Sequence, residues 1–295
     1  MSALDTVSFQ SVLDGVFALD GGADSLGRDS RQLGLAINAI NDNYSTAHEY
    51  YRWPQFSRIE ERAYRPYWAA DITYGITDEL FFDDDRKYYR PDSAPNNPAM
   101  GESPATNPEK WIELTCFRRV VLLEQDGECA IGAALAAWDR DPEADPCARR
   151  VDFTLRADGI YFAPDAPPTV WLDYREPVRD FLAKVYDAAK AYAAGARVYW
   201  VPTVGDGEVY EVLALTTAGQ TPGTNPEKFE QVDFPRFLSR AVQTGAYSDW
   251  LTGPGGDTEG TRAKIFDAKF TELLDEQVFQ ITNIQGQTRK ARFRR

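Results

Sequence analysis

Histidine is nearly missing from this chain of 295 residues, in which His48 stands alone. A single imidazole supports neither a histidine-based metal centre nor a nucleophile activated by histidine. Its place one residue past the apolar stripe of a helical pattern gives it a structural or solvent-exposed role. Cysteine is scarce as well. Cys116, Cys129 and Cys147 form an odd set without short paired spacing, which argues against a disulfide framework or a zinc knuckle and fits a reducing compartment. No run approaches the ~18 apolar residues that span a bilayer. Met1 to Phe9 hold no cationic segment followed by an apolar core, so no secretory signal is expected. Gly-x-Ser-x-Gly elbows, P-loops and Gly-x-Gly-x-x-Gly fingerprints are also missing. Catalytic, cofactor and metal residues are therefore assigned to none of the positions. Asp83-Asp84-Asp85 lacks the spacing of a calcium loop and reads as a solvated hairpin tip, and the many carboxylates of an acidic chain single out no glycosidase pair.

What the chain does have is aromatic and acidic. Apolar residues make up 43% of it and aromatics 13%, a globular composition in which rings rather than methionine supply the large core side chains. Its length suits about two domains of roughly 150 residues each. A net charge of −14 argues against tight wrapping of nucleic acid by the body, because phosphate affinity rests on Lys and Arg.

A duplication organises the middle of the chain. Thr224-Asn225-Pro226-Glu227-Lys228 repeats Thr106-Asn107-Pro108-Glu109-Lys110 at an offset of 118, followed by Phe229 and Trp111 respectively. At the same offset Tyr186, Tyr192, Val198, Tyr199 and Trp200 fall on Trp68, Tyr74, Leu80, Phe81 and Phe82. Such self-similarity marks a repeated structural unit.

In chain order, Phe9, Val12, Leu13, Val16 and Phe17 predict a short helix capped by Ser8 or Thr6. Leu33, Ile37, Ile40, Tyr44, Ala47 and Tyr51 predict a second one, capped by Asp29 or Ser30 and ended at Trp53-Pro54. Leu80–Phe82 and Lys87–Tyr89 read as strands about a polar turn, and Trp111 opens a third. Residues 120–140 fit a buried helix or a strand pair equally. Val151–Leu155, Ile160–Phe162 and Val170–Tyr174 predict one small antiparallel sheet around the Asp158-Gly159 turn. Residues 177–194 look helical by composition, but the repeat aligns them with glycine and β-branched residues around Gly75, so irregular or extended chain is expected from Tyr186 onward. Strands at 197–201, 208–215 and 229–232 then complete the second copy. A helix around Phe237–Leu251 and a final helix with a stripe from Phe266 to Ile281 close the chain.

The expected fold class is α+β, a helical bundle of the N- and C-terminal segments with a large inserted antiparallel β region containing the duplicated module. The expected divisions are 1–62 (helical unit), 63–140 (first β module), 141–185 (connecting hairpin and sheet), 186–252 (second β module and short helix) and 253–295 (last helix and a basic arm, packing with 1–62).

Two features invite a functional reading. Trp111, Trp200 and Tyr210 could stack on sugar rings, since the aromatic order of the second copy resembles small carbohydrate-binding modules of the chitin-binding type; packing positions for the module's own core explain the same rings. Gln287, Thr288, Arg289, Lys290, Arg292, Phe293, Arg294 and Arg295 form a basic end. Five of the last seven residues are basic, leaving −14 − 5 = −19 on the rest. That end reads as a nucleic-acid-binding arm, as an arm ordered by pairing with a partner sheet, or as a plain tail.

Taken together, Asn38-Ala39-Ile40-Asn41-x-x-Tyr44, His48-Glu49-Tyr50-Tyr51-Arg52-Trp53-Pro54, Val170-Trp171-Leu172-Asp173-Tyr174-Arg175, Gly245-Ala246-Tyr247-Ser248-Asp249-Trp250-Leu251 and Gln285-Gly286-Gln287 resemble the head-to-tail adaptor (neck) proteins of tailed bacteriophages. The resemblance implies a non-enzymatic virion protein without cofactor, located in the neck and assembled in the bacterial host cytoplasm. It implies a homo-oligomer, typically a dodecameric ring, that binds the portal protein above and a neck or tail protein below. Double-stranded DNA would pass its acidic channel without sequence-specific binding, and no membrane is involved. Leu33, Ile37, Ile40 and Tyr44, with Phe266, Phe270 and Leu273, are then the expected oligomer-facing helix positions, and the basic end is the portal-docking arm. The alternative is a carbohydrate-binding virion or secreted protein using the two aromatic modules, and a third reading is a glycoside-active enzyme.

Overall fold

The computed structural model describes residues 5–21, 28–92, 97–124, 129–203, 205–252 and 260–292, with side chains up to 283. Its elements in chain order are β1 (Thr6–Val7), α1 (Phe9–Leu19), α2 (Ser30–Tyr50), β2 (Ser57–Ala63), β3 (Leu80–Phe82), β4 (Lys87–Pro91), β5 (Trp111–Glu113), β6 (Val120–Val121) and β7 (Ala133–Trp138). There follow β8 (Phe153–Arg156), β9 (Gly159–Phe162), β10 (Thr169–Arg175), β11 (Lys184–Val185), β12 (Arg197–Trp200), β13 (Glu208–Val212), β14 (Phe229–Gln231), β15 (Phe234–Pro235), α3 (Arg236–Thr252) and α4 (Gly260–Arg292). The class is α+β with antiparallel sheets.

Two compact units divide this order, one from residues 1–51 and 178–295, the other from residues 52–177. The expected boundary at 62 moves to 51, because β2 pairs along its whole length with β10 and belongs to the second unit's sheet. The segment 141–185 is likewise no separate connector, since β10 is the central strand of that sheet, between β2 and β7.

In the first unit, Ser8 caps α1 by accepting the Ser11 N–H at 3.2 Å, and Asp29 caps α2 by accepting the Gln32 N–H at 2.8 Å. The α1 stripe Phe9, Val12, Leu13, Val16 and Phe17 is fully buried. It packs on α3, which also carries α2 and α4, so helices from both ends of the chain share one core. Gly245 of α3 permits the closest approach, where a Cβ would lie 2.1 Å from Asn43 Oδ1 of α2. Asn43 Nδ2 in turn donates to the Ala39 carbonyl and, at 2.5 Å, to Asp249. Burial pushes the Asp249 carboxyl up against that hydrogen bond, with Asp42 and Asp267 adding to the rise.

The same unit holds the sheet β11-β12-β13-β14, with β11 parallel to β12 and the rest antiparallel. From Tyr186 to residue 196 the chain is turns and irregular backbone, as the repeat predicts; residues 178–185, helical by composition, also form no helix and end in β11.

In the second unit the core gathers Tyr64, Phe81, Tyr88, Val121, Ile131, Ile160, Val170, Leu172 and Tyr174. Residues 120–140 supply strands, β6 and β7, but they do not pair with each other. β6 joins β9 and β8, and β7 joins β10. The expected sheet over 151–174 is therefore corrected, since β8 and β9 form the hairpin at the Asp158-Gly159 turn while β10 leaves it. β10 is buried at alternate positions facing this core, and the long partners available to it are β2 and β7 rather than a four-residue hairpin.

Candidate functional site

The duplicated modules are the same structure twice. In each, three successive strands run antiparallel, pairing Leu80 with Tyr89 and Val198 with Tyr210, Pro91 with Trp111 and Val212 with Phe229. Between its first two strands the second copy has three more residues than the first, and between its second strand and the pentapeptide it has three fewer. These changes cancel, which is why an offset of 118 holds on both sides of them.

The pentapeptide earns its repetition by hydrogen bonds rather than by chemistry on a ligand. Ser103 and Thr106 exchange amide and hydroxyl bonds at 3.1 and 3.2 Å, as Thr221 and Thr224 do at 3.1 and 3.2 Å. The threonine hydroxyl donates to the next asparagine's Oδ1 at 2.9 Å in one copy and 3.0 Å in the other. Lys110 reaches both Glu102 oxygens at 2.7 and 2.6 Å, and Lys228 reaches the equivalent Gln220 at 3.0 Å. Gly101 and Gly219, at φ +87° and +85°, turn the loop in the left-handed region where a side chain is strained. Tyr74 and Tyr192 each accept the backbone N–H of the residue five positions earlier, at 2.6 and 2.7 Å.

Strand alternation then divides the aromatics between two cores. Leu80, Phe82, Tyr74 and Trp111 form a private core in the first copy, and Val198, Val212, Tyr192 and Phe229 in the second. On the opposite face Phe81 and Tyr88 join the second unit's core, while Tyr199 packs on Phe9 of α1 at 5.9 Å. Trp111, open to glycan stacking or to packing in the module's own core, takes the core role, a buried ring 5.8 Å from Tyr74. Trp200 and Tyr210 are half-buried and meet edge-on at 5.9 Å.

Trp200 also lies over Gly223, where a Cβ would approach its Cη2 to 2.9 Å. The first copy has Phe82 and Ala105 at these positions, a smaller ring over a larger floor. Gly223→Ala should therefore destabilise the first unit by about 1–2 kcal/mol through overpacking. Adding Trp200→Phe should recover part of that loss, a coupling that a double-mutant cycle in urea measures.

The expected oligomer-facing positions are largely consumed inside the chain. Ile37, Ile40, Tyr44, Phe270 and Leu273 are buried in the helical core, and Leu33 and Phe266 are half-buried, Phe266 against Tyr247 at 4.8 Å. Helical spacing marks an apolar stripe but does not say whether its partner is the same chain or another.

The last part of α4 is different. Ala263, Phe270, Leu273 and Leu274 are buried, and Tyr50, the last residue of α2, donates its hydroxyl to Asp275 at 2.8 Å. At 1.5 Å per residue, the 33 residues of α4 reach roughly 50 Å against about 26 Å for the 17 of α3. The surplus is C-terminal, and within it Phe279 is 67% exposed, the second most exposed large apolar side chain among the described residues.

The helix also corrects the expected arm. Gln287, Thr288, Arg289, Lys290 and Arg292 continue α4 rather than leave it after Gly286, so their backbone is committed to helical hydrogen bonds and not to pairing with a partner sheet. Gln, Lys, Arg and Ala are strong helix formers, which offsets about 1 kcal/mol for Gly286, and cations suit a helix C-terminus. Phe293, Arg294 and Arg295 lie outside the described residues.

Asp83-Asp84-Asp85 forms the turn before β4, with Asp85 accepting from the Tyr89 hydroxyl and the Lys87 N–H. Among the described residues, no group of three His, Cys, Asp or Glu side chains is placed to hold a metal ion, and no helix is long and apolar enough to cross a membrane. No family model, curated protein or solved structure matches the chain.

Proposed function

We propose that the chain is a structural virion protein, a head-to-tail adaptor that forms a ring below a portal and engages its neighbour through the end of α4. The observation that carries this reading is the length of α4, which outruns the bundle that supports it and ends in a basic stretch. A helix that presents Phe279 and runs on through Arg289, Lys290 and Arg292, in a chain whose last seven residues carry +5 against −19 elsewhere, suits helix-in-groove docking on an acidic partner. The acidic body suits a passage through which DNA moves without adhering. Helices from both chain ends meeting on α3 agree with the terminal bundle that such adaptors have by resemblance.

Ending the chain at Asn283 tests it. The shortened protein should lose only the helical signal of the residues removed and keep its unfolding midpoint, because the described buried residues of α4 (Ala263, Phe270, Leu273 and Leu274) all precede that point. It should no longer co-sediment with portal assemblies that retain the full-length chain. Undiminished attachment would remove α4 from the docking role.

A further inference from the structure

The start of the chain is held by a cluster of groups that neither the repeat nor the docking helix explains. Ahead of α1, β1 pairs with β15, and the Arg236 N–H donates to the Asp5 carbonyl at 2.9 Å. At the first turn of α1 the Ser8 hydroxyl donates to Asp206 at 2.7 Å and the Phe9 N–H to Glu208 at 2.9 Å. The Gln10 N–H donates to the Gly207 carbonyl at 2.9 Å, and the Gly207 N–H returns to Gln10 Oε1 at 2.6 Å. Three consecutive residues entering β13 thus grip three consecutive residues entering α1. Gly207 is required for this, since a Cβ there would come within 2.4 Å of the Tyr199 hydroxyl.

The grip places a carboxylate in an unfavourable setting. Glu208 is partly withdrawn from water, and the charged groups that bear on it are two further carboxylates, Asp206 and Asp233, with the Tyr210 phenol beside it. From α1 it meets only neutral groups, the Phe9 N–H and the uncharged Ser8 and Gln10. The nearby cations are directed elsewhere: Arg236 binds Asp5 at 3.3 Å and the Thr6 carbonyl, and Arg179 reaches the backbone carbonyl of Asp233.

We propose that Asp206-Gly207-Glu208 is a proton-controlled latch for the N-terminal segment, which holds residues 5–10 firmly when Glu208 is protonated and loosens them when it ionises beside Asp206 and Asp233. Burial is the main cause that pushes the Glu208 carboxyl up to about 7, the Phe9 N–H opposes it, and Asp233 and Asp206 add to the rise. Docking therefore binds the proton more tightly than release, which returns the carboxyl to water and lets it fall back toward its ordinary 4.5. Docking is strongest at and below that value and weakens as pH rises through about 7.

Hydrogen exchange of the full chain, corrected for intrinsic rates, reads the latch at the Phe9 and Gln10 amides. Their protection should fall roughly tenfold between pH 5.5 and pH 8.5, while the amides of β12 hold theirs. Glu208→Gln should flatten the profile at the protected level, and Asp233→Asn should move the midpoint to lower pH. A flat wild-type profile, or a slope that survives Glu208→Gln, overturns the latch. Should Glu208→Gln fail to fold, an unmoved midpoint in Asp233→Asn overturns it equally.

Discussion

Phe181→Ala should lower the stability of the unit containing both chain ends by about 3–5 kcal/mol. Phe181 is fully buried, and its ring stacks on Phe9 at 5.5 Å, meets Tyr44 edge-on at 4.9 Å and lies 5.0 Å from Phe234. It therefore joins α1, α2 and β15 through one side chain. Its backbone N–H is held as well, by Asn41 Oδ1 at 2.8 Å. Alanine would leave a ring-sized cavity among aromatics that are fixed by different elements and so cannot collapse together. The neighbouring Leu182, 46% exposed, is the internal control, and its change to alanine should shift stability by less than about 0.5 kcal/mol. Urea unfolding followed by tryptophan emission distinguishes the two, and equal midpoints for both variants would reject this picture of the core.

Arg62→Ala should be comparably severe in the other unit, at about 3–5 kcal/mol. Arg62 lies on β2 with only 2% of its side chain exposed. Its guanidinium donates to the Cys129 carbonyl at 2.7 Å, to the Tyr174 hydroxyl at 2.8 Å and to Glu60 at 3.1 Å, and lies over the Tyr174 ring. Tyr174 closes the triangle by donating to Glu60 at 2.8 Å. Burial and the bond to Glu60 hold the Tyr174 phenol well above its ordinary value, so it stays a donor. Removing the cation strands the part-buried Cys129 carbonyl and leaves the Glu60 carboxylate with the phenol and, at 3.3 Å, Arg58. Tyr174→Phe should cost less, and the double variant should lose less than the two added together, because the groups act as one network. Strict additivity would show that the triangle is not cooperative.

What the sequence makes legible is local. Ser8 and Asp29 announce the helix starts they cap, and the alternation of Leu80, Phe81 and Phe82 marks a strand with two buried faces. From Tyr186 onward the repeat overrules composition, since its counterpart around Gly75 is a poor helix former; over 178–185, where composition suggests a helix and the repeat is silent, the chain is irregular and enters β11. Pairing between distant strands is not legible in this way. Nothing near Val170–Tyr174 says that β10 leaves the adjacent hairpin for β2, more than a hundred residues earlier, since register depends on partners that are remote in sequence. The intramolecular use of Ile37 and Phe270 is hidden for the same reason. Gly286 was a plausible stop whose cost the following helix formers outweigh. Glu208 has no signal in the sequence at all, because its setting arises only where the start of β13 meets the start of α1.

The adaptor reading is tested most directly by electron microscopy of the purified full-length chain, with its mass in solution followed over rising concentration. The account predicts closed rings of identical subunits around a central channel. A single monomeric species up to the highest attainable concentration, with no ring in any field even after portal assemblies are added, would contradict it.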